Sequence, residues 1–186
     1  KDEKEASILE KEAKATKTES DIEALIEENL AKIKNEPENI NYRRALANLY
    51  ASNKMFTEAV QCLEATRQLS TSGRDPQIDN AINAIKLQQF DFEIDRLRKA
   101  GNVIEADATE RQRNDYAFAD LQDRVSRYPN DMALRFELGV LLYGRKMITE
   151  ALQQFQLAQR NASFRLRALY YTGLCFAAKK QYDIAA

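Results

Sequence analysis

Side chains that could carry out chemistry are plentiful in this sequence, but the residue that most mechanisms need is absent. The 186-residue chain contains 29 acidic and 28 basic side chains and no histidine. The lack of histidine excludes the commonest general base, the Ser-His and Cys-His nucleophile pairs and most catalytic zinc sites. No two carboxylates stand in a pattern typical of a pocket that sets their pKa values. We therefore predict that the chain is not an enzyme.

The cysteines and glycines do not indicate a metal or a cofactor. Cys62 and Cys175 are not in CxxC spacing and lie within apolar helical patterns, so we interpret both as small buried hydrophobic residues. Five glycines and three prolines are too few for the tight turns of an all-β fold or for glycine-rich loops that hold phosphates. The sequence predicts a mainly helical protein with no metal and no cofactor.

The net charge of −1 gives no reason to expect attraction to polyanions. Binding to nucleic acid or an anionic membrane mainly by charge needs a clustered basic excess. No apolar run approaches the roughly 18 residues of a membrane span, so we predict no nucleic-acid binding and no direct membrane insertion. The chain begins at Lys1 and ends within a helical pattern, which suggests a fragment. The oligomeric state and the compartment stay open, with a cytoplasmic location slightly favoured over a membrane-tethered or periplasmic one.

The elements along the chain begin with a charged segment. Residues 1–20 contain eleven charged side chains and only two large apolar ones, which predicts a linker or a frayed helix. Residues 21–39 follow as a partial repeat unit. Their helical stripe ends before Pro37 and consists of Ile22, Leu25, Ile26, Leu30 and Ile33.

A short motif then repeats at a regular step. Residues 54–59 recur as residues 146–151 and, more weakly, as residues 180–185, and the last two copies are 34 residues apart. The same step separates Gly139 from Gly173. A fixed step of this size is typical of one helix-turn-helix unit per repeat, stacked on its neighbours.

These units resemble the tetratricopeptide-repeat (TPR) family. In that family the first helix carries a leucine followed by a small residue, and the second helix opens with an aromatic residue and then an alanine. The matching residues are Leu46, Ala47, Tyr50, Phe56, Ala59 and Leu63 in one unit, and Leu138, Gly139, Leu142, Ile148, Ala151, Phe155 and Ala158 in another. Arg43 and Arg135 depart from the pattern, because the family often has tryptophan there. The resemblance implies an all-α, TPR-like helical-hairpin solenoid with units at residues 40–73, 74–131 and 132–165 and a truncated unit at 166–186.

The middle unit is too long for an ordinary repeat. Pro37 and Pro129 are 92 residues apart, whereas two units of the usual step take about 68. The extra residues predict one elongated central hairpin, with a helix over about residues 76–99, a turn at Gly101 and Asn102, and a second helix to Tyr128. The outer part of this arm is either a solvated spacer or a second contact site.

The resemblance also implies a concave groove lined by the first helices of successive units, which holds a peptide or a partner helix. The candidate partner-binding residues at groove positions are Arg44, Asn48, Phe136, Val140, Tyr143, Arg167, Tyr170 and Leu174. The aromatic and aliphatic members are spaced by three or four residues on adjacent helices, so we expect them to meet as one stripe. The alternative is that another segment covers this stripe as ordinary core.

Two functions follow from these observations. The first is a non-catalytic protein-interaction scaffold or adaptor that binds a peptide or helix in the concave groove. The alternative is a structural spacer or assembly module of a larger repeat protein, whose groove is filled by its own missing segments. A clamp for the acidic tails of chaperones is disfavoured, because only Arg44, Asn48 and Arg167 match its pattern.

Overall fold

The structure of the chain, a computed structural model, describes residues 20–69 and 74–180. Within these ranges it consists of helices joined by turns and contains no strand, which confirms the all-α prediction. Helix α1 covers residues 20–35. The other helices are α2 (Ile40–Ser52), α3 (Phe56–Leu69), α4 (Pro76–Lys99), α5 (Val103–Arg127), α6 (Met132–Gly144), α7 (Ile148–Ala158) and α8 (Arg165–Ala178). Ser20 is helical, and the rest of the predicted linker or frayed helix lies outside the described residues.

The two ordinary hairpins, α2 with α3 and α6 with α7, begin with the same kind of cap. The Oδ1 atom of Asn39 accepts a hydrogen bond of 3.1 Å from the N–H group of Asn41. The Oδ1 atom of Asp131 accepts bonds of 2.9 and 3.1 Å from the N–H groups of Ala133 and Leu134. Each cap satisfies N–H groups that have no partner within the helix, and so fixes where α2 and α6 begin.

Two arginines form hydrogen bonds between the first helix of each hairpin and the segment that precedes it. The Nε atom of Arg43 donates to the carbonyl oxygen of Pro37 at 3.2 Å. The Nε atom of Arg135 donates to the carbonyl oxygen of Pro129 at 2.7 Å. This shared bond explains how an arginine can stand where the TPR pattern often has tryptophan: it anchors the helix by hydrogen bonding instead of by packing.

The turns between paired helices repeat in backbone geometry as well as in sequence. Lys54, Lys146 and Lys180 have φ angles of 64°, 64° and 59°, in the left-handed region. After α6, the N–H group of Lys146 bonds to the carbonyl of Tyr143 and that of Met147 to the carbonyl of Leu142, each at 3.0 Å. This bonding pattern is the Schellman motif, which usually has glycine at the left-handed position.

Replacing Lys146 with glycine is therefore expected to stabilise the protein. A side chain with a Cβ atom is strained at positive φ, whereas glycine is not, and the greater entropy of glycine in the unfolded chain offsets part of the gain. We expect Lys146→Gly to raise the free energy of unfolding by about 0.5–1 kcal/mol, measured by urea unfolding followed by circular dichroism. Lys179→Gly is the control, because the φ angle of Lys179 is −82°. An equal rise in both variants would contradict the strain argument.

The predicted elongated hairpin is confirmed. Helices α4 and α5 have 24 and 25 residues and are joined at Gly101, whose φ angle of 81° suits glycine. The part of α4 that follows residue 89 runs antiparallel to α5. The ring centroids of Phe90 and Tyr116 are 5.8 Å apart, and Nε of Arg113 lies 2.6 Å from Oδ1 of Asp91. A helix of 24 residues is about 36 Å long, roughly twice the length of α6.

The chain divides into two compact units, with the boundary between Gln89 and Phe90 within α4. The core of the first unit includes Ala47, Phe56, Ala59, Leu63, Ile78 and Ile82. The core of the second includes Leu121, Leu134, Phe136, Leu142, Phe155, Ala158 and Cys175. The first core lies among α2, α3 and α4 and the second among α5, α6, α7 and α8. The finer division at residues 21–39, 40–73, 74–131, 132–165 and 166–186 stays a prediction.

Candidate functional site

Aromatic side chains from α6, α7 and α8 form a cluster in the second unit. Phe155 of α7 is fully buried in this cluster. Its ring centroid lies 5.7 Å from that of Phe136 on α6 and 4.9 Å from that of Tyr171 on α8. Phe164, which directly precedes α8, stacks on Phe136 at 5.6 Å. Aromatic pairs at such distances add to the stabilisation from burial, so the cluster fixes α8 against the α6–α7 hairpin.

A glycine allows α7 to approach α6 closely. A Cβ atom at position 139 would stand 2.7 Å from Cε1 and 2.9 Å from Cδ1 of Phe155. These distances are shorter than any ordinary van der Waals contact, and the ring belongs to the packed core. The absence of a side chain at Gly139 is thus what makes room for Phe155. Gly139 occupies the small-residue position of the TPR pattern, and the resemblance implies that helices approach closely at such positions.

The predicted contact residues of the second unit lie on α6 and α8 around this cluster. Tyr170 is 66% exposed, and its ring meets that of Tyr171 edge-on at 5.7 Å. The guanidinium of Arg167 lies over the ring of Phe136, with Cζ 4.5 Å from the ring centroid. Val140, Tyr143 and Leu174 are partly exposed. We name the set of Val140, Tyr143, Arg167, Tyr170 and Leu174 the aromatic surface.

Phe136 stands apart from the other members of the predicted stripe. It is only 3% exposed, because Phe155, Phe164 and Tyr171 surround its ring and Arg167 covers it. It therefore supports the aromatic surface from beneath. The sequence analysis did not assign a role to Phe164 or Tyr171. Their spacing on either side of Ala168, which is buried, marks them as the inner face of α8, but only the packed structure shows that this face covers Phe136.

The predicted contact residues of the first unit, Arg44 and Asn48, lie on α2. Asn48 is exposed and lines a cleft of about 260 Å³ between α2 and α4. The other lining residues are Ala51, Ser52, Ala81, Ala84, Ile85 and Gln88. This cleft is mostly lined by small and polar side chains, so it offers room for a backbone and hydrogen-bonding groups but few anchors for large apolar side chains.

Arg44 is half-buried and already has an acidic neighbour. Its Nη2 atom lies 4.0 Å from Oδ1 of Asp75. The same oxygen accepts hydrogen bonds from the N–H groups of Gln77 and Ile78 and so caps α4. Asp75 partly neutralises the positive charge that Arg44 presents. The contact between these two residues was not predicted from the sequence. The Asp75-Pro76 pair at the start of α4 is a recognisable cap signal.

The tip of the elongated hairpin carries two exposed aliphatic residues. Val103 and Ile104 are 59% and 85% exposed at the start of α5. They lie next to Gly101 and Glu105, which line the same shallow depression. The outer part of the arm was predicted to be either a solvated spacer or a second contact site, and this exposed apolar pair lies at its tip.

The groups capable of other chemistry are few in the described residues. Burial raises the pKa of both cysteine thiols, Cys62 and Cys175, which makes each a weak nucleophile at neutral pH. In residues 20–69 and 74–180 there is no group of three or more cysteine, aspartate or glutamate side chains that could hold a metal ion. Among the helices of those ranges, none is both long and apolar enough to cross a membrane.

Comparisons with known proteins find likeness at the level of structure. No protein-family model matches the sequence, and neither does any curated protein. Two structures of MamA are similar at 16% identity and a TM-score of 0.48; the matches cover 91% of this chain and 85% and 79% of those chains. A structure of YrrB, described as a TPR protein with an unusual peptide-binding site, is similar at 18% identity and a TM-score of 0.46, covering 91% of this chain and 75% of that one. Identities this low say nothing of function, which therefore rests on this chain's own residues.

Proposed function

We propose that this chain is a non-catalytic protein-interaction module whose second unit docks a peptide or helix on the aromatic surface. The observation that carries the proposal is the exposure of Tyr170, a large aromatic side chain that is 66% accessible yet held against Tyr171. Tyrosine is enriched at the centres of protein interfaces, because it combines a large apolar area with a hydroxyl group and few rotatable bonds.

The aromatic surface is preorganised for binding. Arg167 is held over Phe136, so its guanidinium loses little freedom when a partner arrives. Tyr143 contacts the edge of Tyr171, with ring centroids 6.0 Å apart, and so the tyrosines of α6 and α8 support each other. Affinity in such a site comes from burying the apolar part of the surface, while Arg167 fixes the orientation of the partner.

We assign Asn48 to a second contact, which lies within the first unit. Its amide is exposed in the cleft between α2 and α4, where it can donate to and accept from the backbone of an extended peptide. Arg44 orients this region through Asp75 and the start of α4, so we assign it an indirect part in recognition.

The test is loss of a partner when Tyr170 is replaced by serine. The tagged protein and its Tyr170→Ser variant are expressed in the source cell, and bound proteins are identified by mass spectrometry and then titrated in purified form by calorimetry. Because Tyr170 is exposed, the variant is expected to keep its helicity and to weaken binding by about 2 kcal/mol, roughly thirtyfold. Ile104→Ser is the matched control, since it removes an exposed apolar side chain at the arm tip.

Two results of the binding experiments would contradict the proposal. One is retention of every partner by Tyr170→Ser. The other is loss of the same partner by Ile104→Ser with Tyr170→Ser unaffected, which would place the contact on the arm. A change in the circular dichroism spectrum of Tyr170→Ser would show that the tyrosine is needed for folding and would likewise count against a docking role.

The second candidate function is a spacer or assembly module, and one observation favours it. Leu169 on α8 is 48% exposed and does not belong to the aromatic surface. Aliphatic side chains on a helix pack well against another helix of the same protein. In that case Leu169→Ser is expected to lower the melting temperature of the protein without removing a partner, whereas the docking function predicts no change in melting temperature.

A further inference from the structure

The net charge of the chain is close to zero, but its acidic and basic side chains are unevenly distributed along the sequence. Residues 132–180, from the start of α6 to the turn after α8, contain eight basic side chains and two acidic ones, a net charge of +6. The chain as a whole has a net charge of −1. The asymmetry is greatest around α8, because residues 159–180 contain five basic side chains and no acidic one. A local excess of this kind attracts groups of opposite charge.

The five basic residues around α8 are available to a partner. They are Arg160, Arg165, Arg167, Lys179 and Lys180, and all five are exposed. Many arginines elsewhere are paired, as Arg98 is with Glu110 and Arg113 with Asp91. Within the described residues 20–69 and 74–180, none of the five around α8 forms an ion pair.

Both ends of α8 carry basic side chains. Helix α6 begins with the carboxylate of Asp131 bonded to its N–H groups. Helix α8 has no side-chain cap and no acidic residue in its first turn, and Arg165 and Arg167 lie there instead. The first turn of a helix already carries partial positive charge, so these arginines add to the potential at that end. Lys179 and Lys180 supply positive charge at the other end.

Between these charges lies an apolar strip. Leu166 and Tyr170 are 82% and 66% exposed, and their spacing of four residues places them on one face of α8. Arg165 and Arg167 lie on either side of Leu166 in the sequence and therefore flank that face. A ligand complementary to this surface has apolar side chains along its centre and negative charges at its margins.

We propose that the partner docking on this face is an acidic segment of another protein that presents leucine-sized or aromatic side chains. The inference rests on the proposed function, and it specifies the chemistry of the partner. The five basic residues, which form no ion pair within residues 20–69 and 74–180, are complementary in charge to an acidic partner. The aliphatic side chain of Leu166 argues for a protein over a nucleic acid, since it packs on apolar side chains, whereas base recognition relies on stacking with aromatic planes.

The test uses two synthetic peptides that differ in charge. Each is a fluorescein-labelled helical peptide of about 15 residues with leucine along one face; the first has glutamate at the remaining positions, and its twin has lysine there. Fluorescence anisotropy with the purified chain is expected to show binding of the acidic peptide at least about tenfold tighter than binding of the basic one. The affinity is also expected to fall several-fold between about 50 and 300 mM NaCl.

Two matched double variants test whether the basic residues around α8 cause the preference for the acidic peptide. Arg165→Gln with Lys179→Gln removes one charge at each end of α8 outside the aromatic surface, and Lys99→Gln with Arg111→Gln removes two exposed basic charges from the arm. Both double variants change the net charge of the chain equally. The α8 variant is expected to weaken acidic-peptide binding at least about fivefold, and the arm variant to leave it unchanged.

Each outcome decides the proposal. Equal binding of both peptides, failure of both to bind, or equal loss in the two double variants would overturn it. Tighter binding of a single-stranded oligonucleotide than of the acidic peptide would also overturn it. So would sedimentation showing that the α8 variant merely dissociates a dimer of this chain.

If the α8 variant binds normally while Tyr170→Ser does not, the charge inference fails and the proposed function stands. If Tyr170→Ser binds normally and the α8 variant does not, the aromatic anchor of the proposed function fails.

Discussion

Phe155→Ala is expected to lower the free energy of unfolding of the second unit by about 3–5 kcal/mol. The phenyl ring is fully buried and contacts the rings of Phe136 and Tyr171 on the two neighbouring helices. Its removal forfeits the burial of a large apolar side chain and leaves a cavity that the surrounding helices fill only in part. Because Tyr171 supports Tyr170 and Tyr143, the aromatic surface loses its fixed geometry at the same time.

The measurement is urea unfolding followed by near-ultraviolet circular dichroism, which reports on packed aromatic rings. Phe92→Ala is the matched control: it removes a phenylalanine of the same unit that is 38% exposed. We expect its loss to be about 1 kcal/mol or less. Equal losses in the two variants would show that Phe155 is not the centre of the core.

Gly139→Ala is expected to destabilise the second unit by about 1–3 kcal/mol, although alanine is the better helix former. The new methyl group would lie 2.7 Å from Cε1 of Phe155, so the ring or the helix α7 must move. Gly144→Ala is the matched control on the same helix, because a Cβ atom there would meet nothing within 4 Å. That control is expected to gain up to about 1 kcal/mol from helix propensity.

A double-mutant cycle identifies the source of the effect. If the clash with Phe155 causes the loss, Gly139→Ala is expected to cost about 1 kcal/mol less in a Phe155→Leu background than in the natural protein. Additive losses would mean that the alanine disturbs some other contact. Chemical denaturation of all four proteins provides the comparison.

Much of the fold could be predicted from sequence because its signals are local. The apolar period acts within a few residues and is readable from the sequence. The caps at Asn39 and Asp131 and the left-handed turns at Lys54 and Lys146 are equally local, but they were found in the structure. Because an ordinary unit has a fixed length, the extra length of the central hairpin could be predicted by counting residues. The close packing at Gly139 followed from its place in the TPR pattern.

The site was less predictable because its exposure depends on contacts between distant residues. Phe136 and Tyr170 occupy equivalent groove positions one step apart, yet one is buried and the other exposed, since Tyr171 and Phe164 cover the first. The approach of Arg44 to Asp75 joins two residues far apart in the sequence, and no spacing rule predicts it. The charge segregation around α8 could have been found by counting charges along the chain, but the near-zero total concealed it.

Docking of a partner on the aromatic surface is tested by amide hydrogen exchange with and without the captured partner. Exchange is compared for the segments covering α2, α6, α8 and the arm tip at Val103 and Ile104. Binding is expected to slow exchange in α6 and α8, and Tyr170→Ser is expected to lose that protection. Protection confined to the arm tip, or protection of α6 and α8 that Tyr170→Ser does not alter, would contradict it.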